Sequence, residues 1–207
     1  MSNSIENNKR IAKNTLLLYF RMFFMMIVSL YTSRIVLSTL GIEDFGIYNV
    51  VGGVVSMFSF LNGAMATSTQ RYLTFELGKE GNVDQMRKVF NASIIIHALI
   101  SIFILILAET VGMWFIYSYM TIPDSRMDAA LWVYQFSILS MIVLVMSVPY
   151  NACIIAHERM KVFAYISVLE VILKLLIVYI LVLGDIDKLK LYAVLIFCVQ
   201  LLIRFIY

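Results

Sequence analysis

The sequence predicts an all-α integral membrane protein with six transmembrane helices, and three observations carry that expectation. Of 207 residues, 62% are hydrophobic and 14% charged, against roughly 45–50% and 25% in soluble domains. Apolar stretches recur along nearly the whole chain, at lengths that suit a hydrocarbon core of about 30 Å, which takes roughly 20 helical residues to cross. Runs such as 22–30 and 94–107 are continuously apolar and do not alternate. That pattern excludes a β-barrel. In lipid every backbone N–H and C=O must be bonded internally, so the spans are helices. The expected spans are 15–38, 46–70, 89–117, 129–155, 162–184 and 190–207, with no room left for a soluble domain.

Span 1 follows a basic end, Lys9, Arg10 and Lys13. Its apolar stretch is too long for the 7–15-residue core of a cleaved signal, and no small-residue cleavage site closes it, so it is retained. Arg21 lies a few residues inside it and Arg34 near its far end. Charges within spans are expensive and mark functional positions or groups that reach the headgroups. The two arginines are thirteen positions apart and point to different faces.

Span 2 segregates by size. At about 100° per residue, Asn49, Gly52, Gly53, Ser56, Ser59, Gly63, Ala66, Thr67 and Gln70 share one face, with Phe60 intruding. Val50, Val54, Met57, Phe58, Leu61 and Met65 form the other. A small face is either a tight helix–helix seam or the border of a hydrated cavity. Asn49, Asn62 and Gln70 point to the second, but the Asn49/Gly53/Ser56/Gly63 face is expected to pack inward as a seam, with Val54, Met57, Phe58 and Leu61 toward lipid. The break Gly78–Asp84, with two glycines and Asn82, reads as a turn leading into span 3.

Span 3 holds His97 and, further along, Glu109. His97 has no second ligand at metal spacing, and His157-Glu158 lacks a second histidine four residues on, so neither metal nor cofactor is expected. Ile122-Pro123-Asp124 turns the chain into span 4. There Pro149 removes a backbone bond, and Ser140, Ser147 and Asn151 share a face, where they re-satisfy freed backbone groups or line a polar path. Cys153 and Cys198 lie in apolar helix and read as packing residues. Span 5 places Glu170 and Lys174 near its middle, four apart with the acid first, the favourable order for an intrahelical pair. Span 6 reaches Tyr207 with no polar tail, the pattern expected of the first part of a longer chain.

The net charge of +3 is dispersed over separate loops and is no nucleic-acid footprint. It sets orientation instead. Lys9, Arg10, Lys13, Arg71, Lys79, Arg87, Lys88, Arg159 and Lys161 fall on one side; Arg34, Arg126, Lys188 and Lys190 fall on the other. The positive-inside rule puts the N-terminus in the cytoplasm.

Several runs in order resemble one family. Ser33-Arg34-Ile35-Val36-Leu37, Leu40-Gly41 and Asp44-Phe45-Gly46-Ile47-Tyr48 are similar to the span 1–2 junction of polysaccharide flippases, in the multidrug/oligosaccharidyl-lipid/polysaccharide exporter superfamily. Gln70-Arg71-Tyr72-Leu73 at the end of span 2 resembles the same pattern. Ile122-Pro123, Val148-Pro149-Tyr150-Asn151 and Ala156-His157-Glu158-Arg159-Met160 resemble its lipopolysaccharide-biosynthesis branch. The resemblance implies one six-helix lobe of a two-lobe flippase in the bacterial cytoplasmic membrane, with the C-terminal lobe absent. It implies a non-enzymatic role, moving a polyprenyl-pyrophosphate-linked oligosaccharide between leaflets by alternating access, with binding between lobes. Arg21 and Arg34 are then candidate contacts for the pyrophosphate, since arginine's planar fork suits phosphate. Asn49, Gln70, Glu170 and Lys174 complete the candidate substrate-binding set.

Three other functions compete. An ion-coupled multidrug exporter of the same superfamily would use Glu109 or Glu170. A membrane glycosyltransferase or polymerase would use Glu43-Asp44 and Asp185-Ile186-Asp187, although both loops are too short for a sugar-binding domain. A purely structural subunit needs none of these groups.

Overall fold

The computed structural model describes residues 2–79, 83–183 and 187–206, without the side chains at 2–11, 13, 61 and 183. The centre of the turn at 80–82, Asp185, Ile186 and Tyr207, and the side chains of Lys9, Arg10, Lys13 and Leu61, lie outside the described residues. Within them the chain is helical and no strand occurs.

The order is α1 (Ser2–Ser56), α2 (Ser59–Gly78), α3 (Val83–Leu107), a π-helical turn (Ala108–Gly112), α4 (Met113–Tyr119), α5 (Asp124–Ala156), α6 (Met160–Leu183) and α7 (Lys188–Ile206). These segments make six crossings. α1 supplies the first and half of the second, because Gly41 interrupts it at φ 82, ψ 171. That backbone region is open essentially to glycine alone. Contacts on either side show the reversal there. Arg21 meets Ser167 and Tyr31 lies beside Tyr179, so the first part of α1 runs the same way as α6. Beyond Gly41, Asp44 bonds Arg126 and Gly52 lies beside Ser137, so the second part runs the same way as α5.

Span 2 is not one continuous helix. It breaks at Met57-Phe58, where Phe58 N–H donates to the Val55 carbonyl at 3.1 Å before α2 begins. Span 3 likewise runs through the π turn into α4.

α5 is the central pillar. It packs on α1, α2, α3, α6 and α7. Ala129, Ala130, Val133, Tyr134, Ile138, Val145 and Ala152 are all buried along it. Small residues at positions 129, 130 and 152 let neighbouring backbones approach closely, which is how helices associate in lipid. Against α3, Tyr134 donates its hydroxyl to the Ala108 carbonyl at 2.7 Å, one of the carbonyls disturbed by the π turn. Gly112 makes room for that phenol: a Cβ there would lie 1.9 Å from its oxygen.

Ionic contacts tie the helix ends near Asp124. Arg126 chelates Asp44 through Nε at 2.8 Å and a second nitrogen, and reaches Asp187 at 3.1 Å. Lys190 pairs with Asp128. Asp187 also caps α7, its Oδ1 accepting from the N–H groups of Leu189 and Lys190 at 3.1 and 3.4 Å, as an N-cap residue does.

One expectation needs correction. The small face of span 2 is not a seam inside the lobe. Asn49, Ser56, Ser59, Gly63 and Thr67 are exposed, whereas Ile47, Val51, Val55, Thr69 and Leu73 are buried. The β-branched residues fill the space beside α5 and the small residues are left facing outward.

Candidate functional site

That outward face is one wall of a polar groove. One depression, 380 Å³, lies between the second half of α1, α5 and α7, and is lined by Asn49, Ser56, Ser59, Ser137, Ser140 and Gln200, among others. Leu144 and Gln200 continue into an 80 Å³ recess with Ser147, Asn151, Glu170 and Arg204. Ser147 and Asn151 in turn border a 210 Å³ cavity with Asn62 and Gln70 of α2. In the other direction Tyr48, Asn49 and Ile196 open onto a 460 Å³ cavity between α1, α6 and α7 that contains Lys174.

The side chains reach the groove for local reasons. Ser140, Ser147 and Asn151 do fall on one face of α5, so they arrive together. Ser147 bonds back to the Leu144 carbonyl at 2.5 Å, as hydroxyls in helices do. The break after Ser56 opens span 2 where Ser56 and Ser59 meet the depression. Asn151 Oδ1, Asn62 Oδ1 and Gln200 Oε1 are buried with no hydrogen-bond partner among the described residues. A buried acceptor without a partner costs about 1–3 kcal/mol, so these amides are placed to receive donors from water or a guest.

Glu170 and Lys174 form their pair, Nζ to Oε1 at 2.6 Å, each about a third exposed. They divide between two depressions, Glu170 in the small recess and Lys174 in the 460 Å³ cavity. Arg204 donates to the Met146 carbonyl at 2.5 Å and stacks 3.7 Å above the Tyr150 ring.

The two arginines chosen from sequence are not in the groove lining. Arg21 donates to Ser167 Oγ at 3.0 Å and lies 4.5 Å over the Phe163 ring, fastening α1 to α6. Arg34 is exposed and lines none of the four depressions. Asn49, Gln70, Glu170 and Lys174 do line them. Sequence reasoning missed Gln200 and Arg204. Their signal is the one that flagged the others, polar groups four apart in an otherwise apolar span. Glu109 stands apart in the π turn, accepting from Gln135 Nε2 at 3.3 Å. His97 is buried and donates from Nδ1 to the Ser93 carbonyl at 2.7 Å. Among the described residues no three His, Cys, Asp or Glu side chains converge as a metal site would need. Of the acids considered for sugar-donor chemistry, Asp44 and Asp187 are engaged by Arg126.

A multi-pass helical bundle with a polar groove along its lipid-embedded length is the architecture of a membrane transporter. The MatE family model matches residues 18–180, and the chain belongs to that family of the multidrug/oligosaccharidyl-lipid/polysaccharide exporter superfamily. No curated protein and no solved structure matches it.

Proposed function

We propose that this chain is the N-terminal lobe of a flippase for polyprenyl-pyrophosphate-linked oligosaccharide, in a bacterial cytoplasmic membrane with its N-terminus inside. The observation that carries this reading is the chemistry of the groove. Its polar groups are hydroxyls and carboxamides, Ser56, Ser59, Ser137, Ser140, Asn49 and Gln200, set among apolar neighbours such as Val55, Met141 and Leu144. Such groups match sugar hydroxyls, each both donor and acceptor. A lipophilic cationic drug would be better served by an aromatic cage, and Tyr48 and Phe136 alone supply rings to the 380 Å³ depression.

The groove is also open. Polar side chains facing hydrocarbon are costly, so a second six-helix unit covers it, and the cargo lies between the two. This fits alternating access about a shared site. Asn49, Gln70, Glu170 and Lys174 contact the cargo. Arg21 and Arg34 have lesser parts, one as a fastener and the other at the surface.

Proteoliposomes test the reading. The intact transporter should move a fluorescent lipid-linked oligosaccharide across the bilayer and leave a cationic dye gradient unchanged. Dye efflux without glycolipid movement would favour the drug-exporter alternative, for which Glu109 or Glu170 would be the coupling acid.

A further inference from the structure

We infer that the 210 Å³ cavity between α2, α5 and α6 is a subsite for the 2-acetamido group of an amino sugar, read by Asn62 and Asn151; this rests on the flippase reading above and names the sugar class that the groove selects.

Three observations carry the assignment. The first is a pair of unbonded amides. Asn62 on α2 and Asn151 on α5 line the cavity from two helices that pack on each other. The buried Oδ1 of each has no hydrogen-bond partner, and among the described residues neither carboxamide is bonded to the protein at all. Other polar side chains of spans 2 and 4 are engaged. Asn49 donates to the Phe45 carbonyl at 2.7 Å, and Thr67 to the Gly63 carbonyl at 3.0 Å. A carboxamide carries one acceptor oxygen and two N–H donors, so each amide needs partners whichever way it is turned. Amides left unbonded inside a helix bundle lower its stability. They are useful where a guest supplies the partners.

The second is the mixture of walls. Ala66, Ala152, Ile155 and Phe163 give the cavity an apolar side. No charged residue lines it, so it suits a neutral group. An acetamido substituent has matching parts: an N–H donor, a carbonyl acceptor and a methyl. The N–H meets one asparagine oxygen, the carbonyl accepts from the other amide, and the methyl is buried against the apolar side. A plain hydroxyl serves the amides and leaves that apolar side unfilled.

The third is position. Ser147 and Asn151 also border the 80 Å³ recess, and Leu144 is shared with the 380 Å³ depression. A sugar ring in the groove beside Ser140 and Gln200 therefore reaches the cavity with one substituent. The volume suits that substituent and a few waters, not a whole oligosaccharide.

The test compares two fluorescent short-chain polyprenyl diphosphates on the intact transporter in nanodiscs, one carrying N-acetylglucosamine and the other glucose. They differ at this substituent alone. Wild type should bind the acetamido lipid about tenfold more tightly, the range for one or two net hydrogen bonds. Asn62→Leu combined with Asn151→Leu should abolish that preference by weakening the acetamido lipid alone. The unfolding temperature of this variant without ligand should hold or rise, because two unsatisfied amides leave the interior. Loss of the preference together with a fall in unfolding temperature would mark the asparagines as structural and overturn their assignment. A preference that survives both substitutions would place the selection elsewhere and overturn it too. Equal affinities in wild type would mark a hydrated cavity only, overturning the acetamido subsite and leaving the flippase reading standing. No binding of either lipid by wild type would remove the flippase reading, and the subsite with it.

Discussion

Single residues decide how the helices meet. Gly112 is the sharpest case, because the Tyr134 phenol occupies the place of its missing side chain. Gly112→Ala should destabilise the lobe by about 1–3 kcal/mol, the usual cost of overpacking, seen as a lower unfolding temperature in detergent. Tyr134→Phe should cost about 1 kcal/mol, the loss of one net hydrogen bond. Combined with Gly112→Ala it should recover part of the damage, since the clashing oxygen is gone. Full additivity of the two losses would contradict this geometry. Arg126 is another decisive residue, for it joins Asp44 and Asp187 across three helix ends. Arg126→Ala should cost about 1 kcal/mol or less, because the cluster is partly exposed and screened. The loss should shrink further in high salt. None of these pairings is visible in sequence. The residues lie 22 to 143 positions apart, and only packing tells which distant partner each one meets.

At the scale of elements, hydropathy exposes the helices, and their faces remain ambiguous. The six crossings were legible because lipid leaves few alternatives to a long apolar helix. The break at Met57-Phe58 was not, since no proline or strained residue marks it. The small face of span 2 was legible as a face and misleading as a seam. A stripe of Gly and Ser permits a close neighbour but does not require one, and here Val51 and Val55 make the contact with the lobe instead. Substitutions separate the two readings. A Cβ at Gly63 meets nothing within 4 Å, so Gly63→Leu should leave the stability of the isolated lobe within about 0.5 kcal/mol, as at an open surface site. Val51→Phe, at a fully buried position, should cost about 1–3 kcal/mol. Thermal unfolding of the two variants side by side decides it; a larger loss for Gly63→Leu would restore the seam. The candidate site was half legible for a related reason. Charges and amides inside spans stand out from their apolar neighbours, but which of them share a groove is fixed by helix rotation. Arg21 and Lys174 looked alike in sequence, yet Arg21 is committed to Ser167 and Phe163 and Lys174 faces a cavity.

For the whole molecule, the side on which basic residues gather predicts an orientation that labelling can test. With Cys153 and Cys198 replaced by alanine, Asp124→Cys should react with an impermeant thiol reagent from outside the cell, and Arg159→Cys only after permeabilisation. The opposite result would invert the lobe. The central place of α5 has a further consequence, in time as well as space. Helices enter the membrane in the order in which the ribosome makes them, and the pillar comes fourth. Until residue 124 is synthesised, spans 1 to 3 have little to hold them together: Val51, Leu73 and Ile104 await neighbours that do not yet exist. A chain halted near residue 121 should therefore be a ready substrate for membrane proteases, and one halted near residue 158 should survive. Assembly of this lobe is then not a gradual zipping from the N-terminus. It is a delayed event, set off when one late helix arrives.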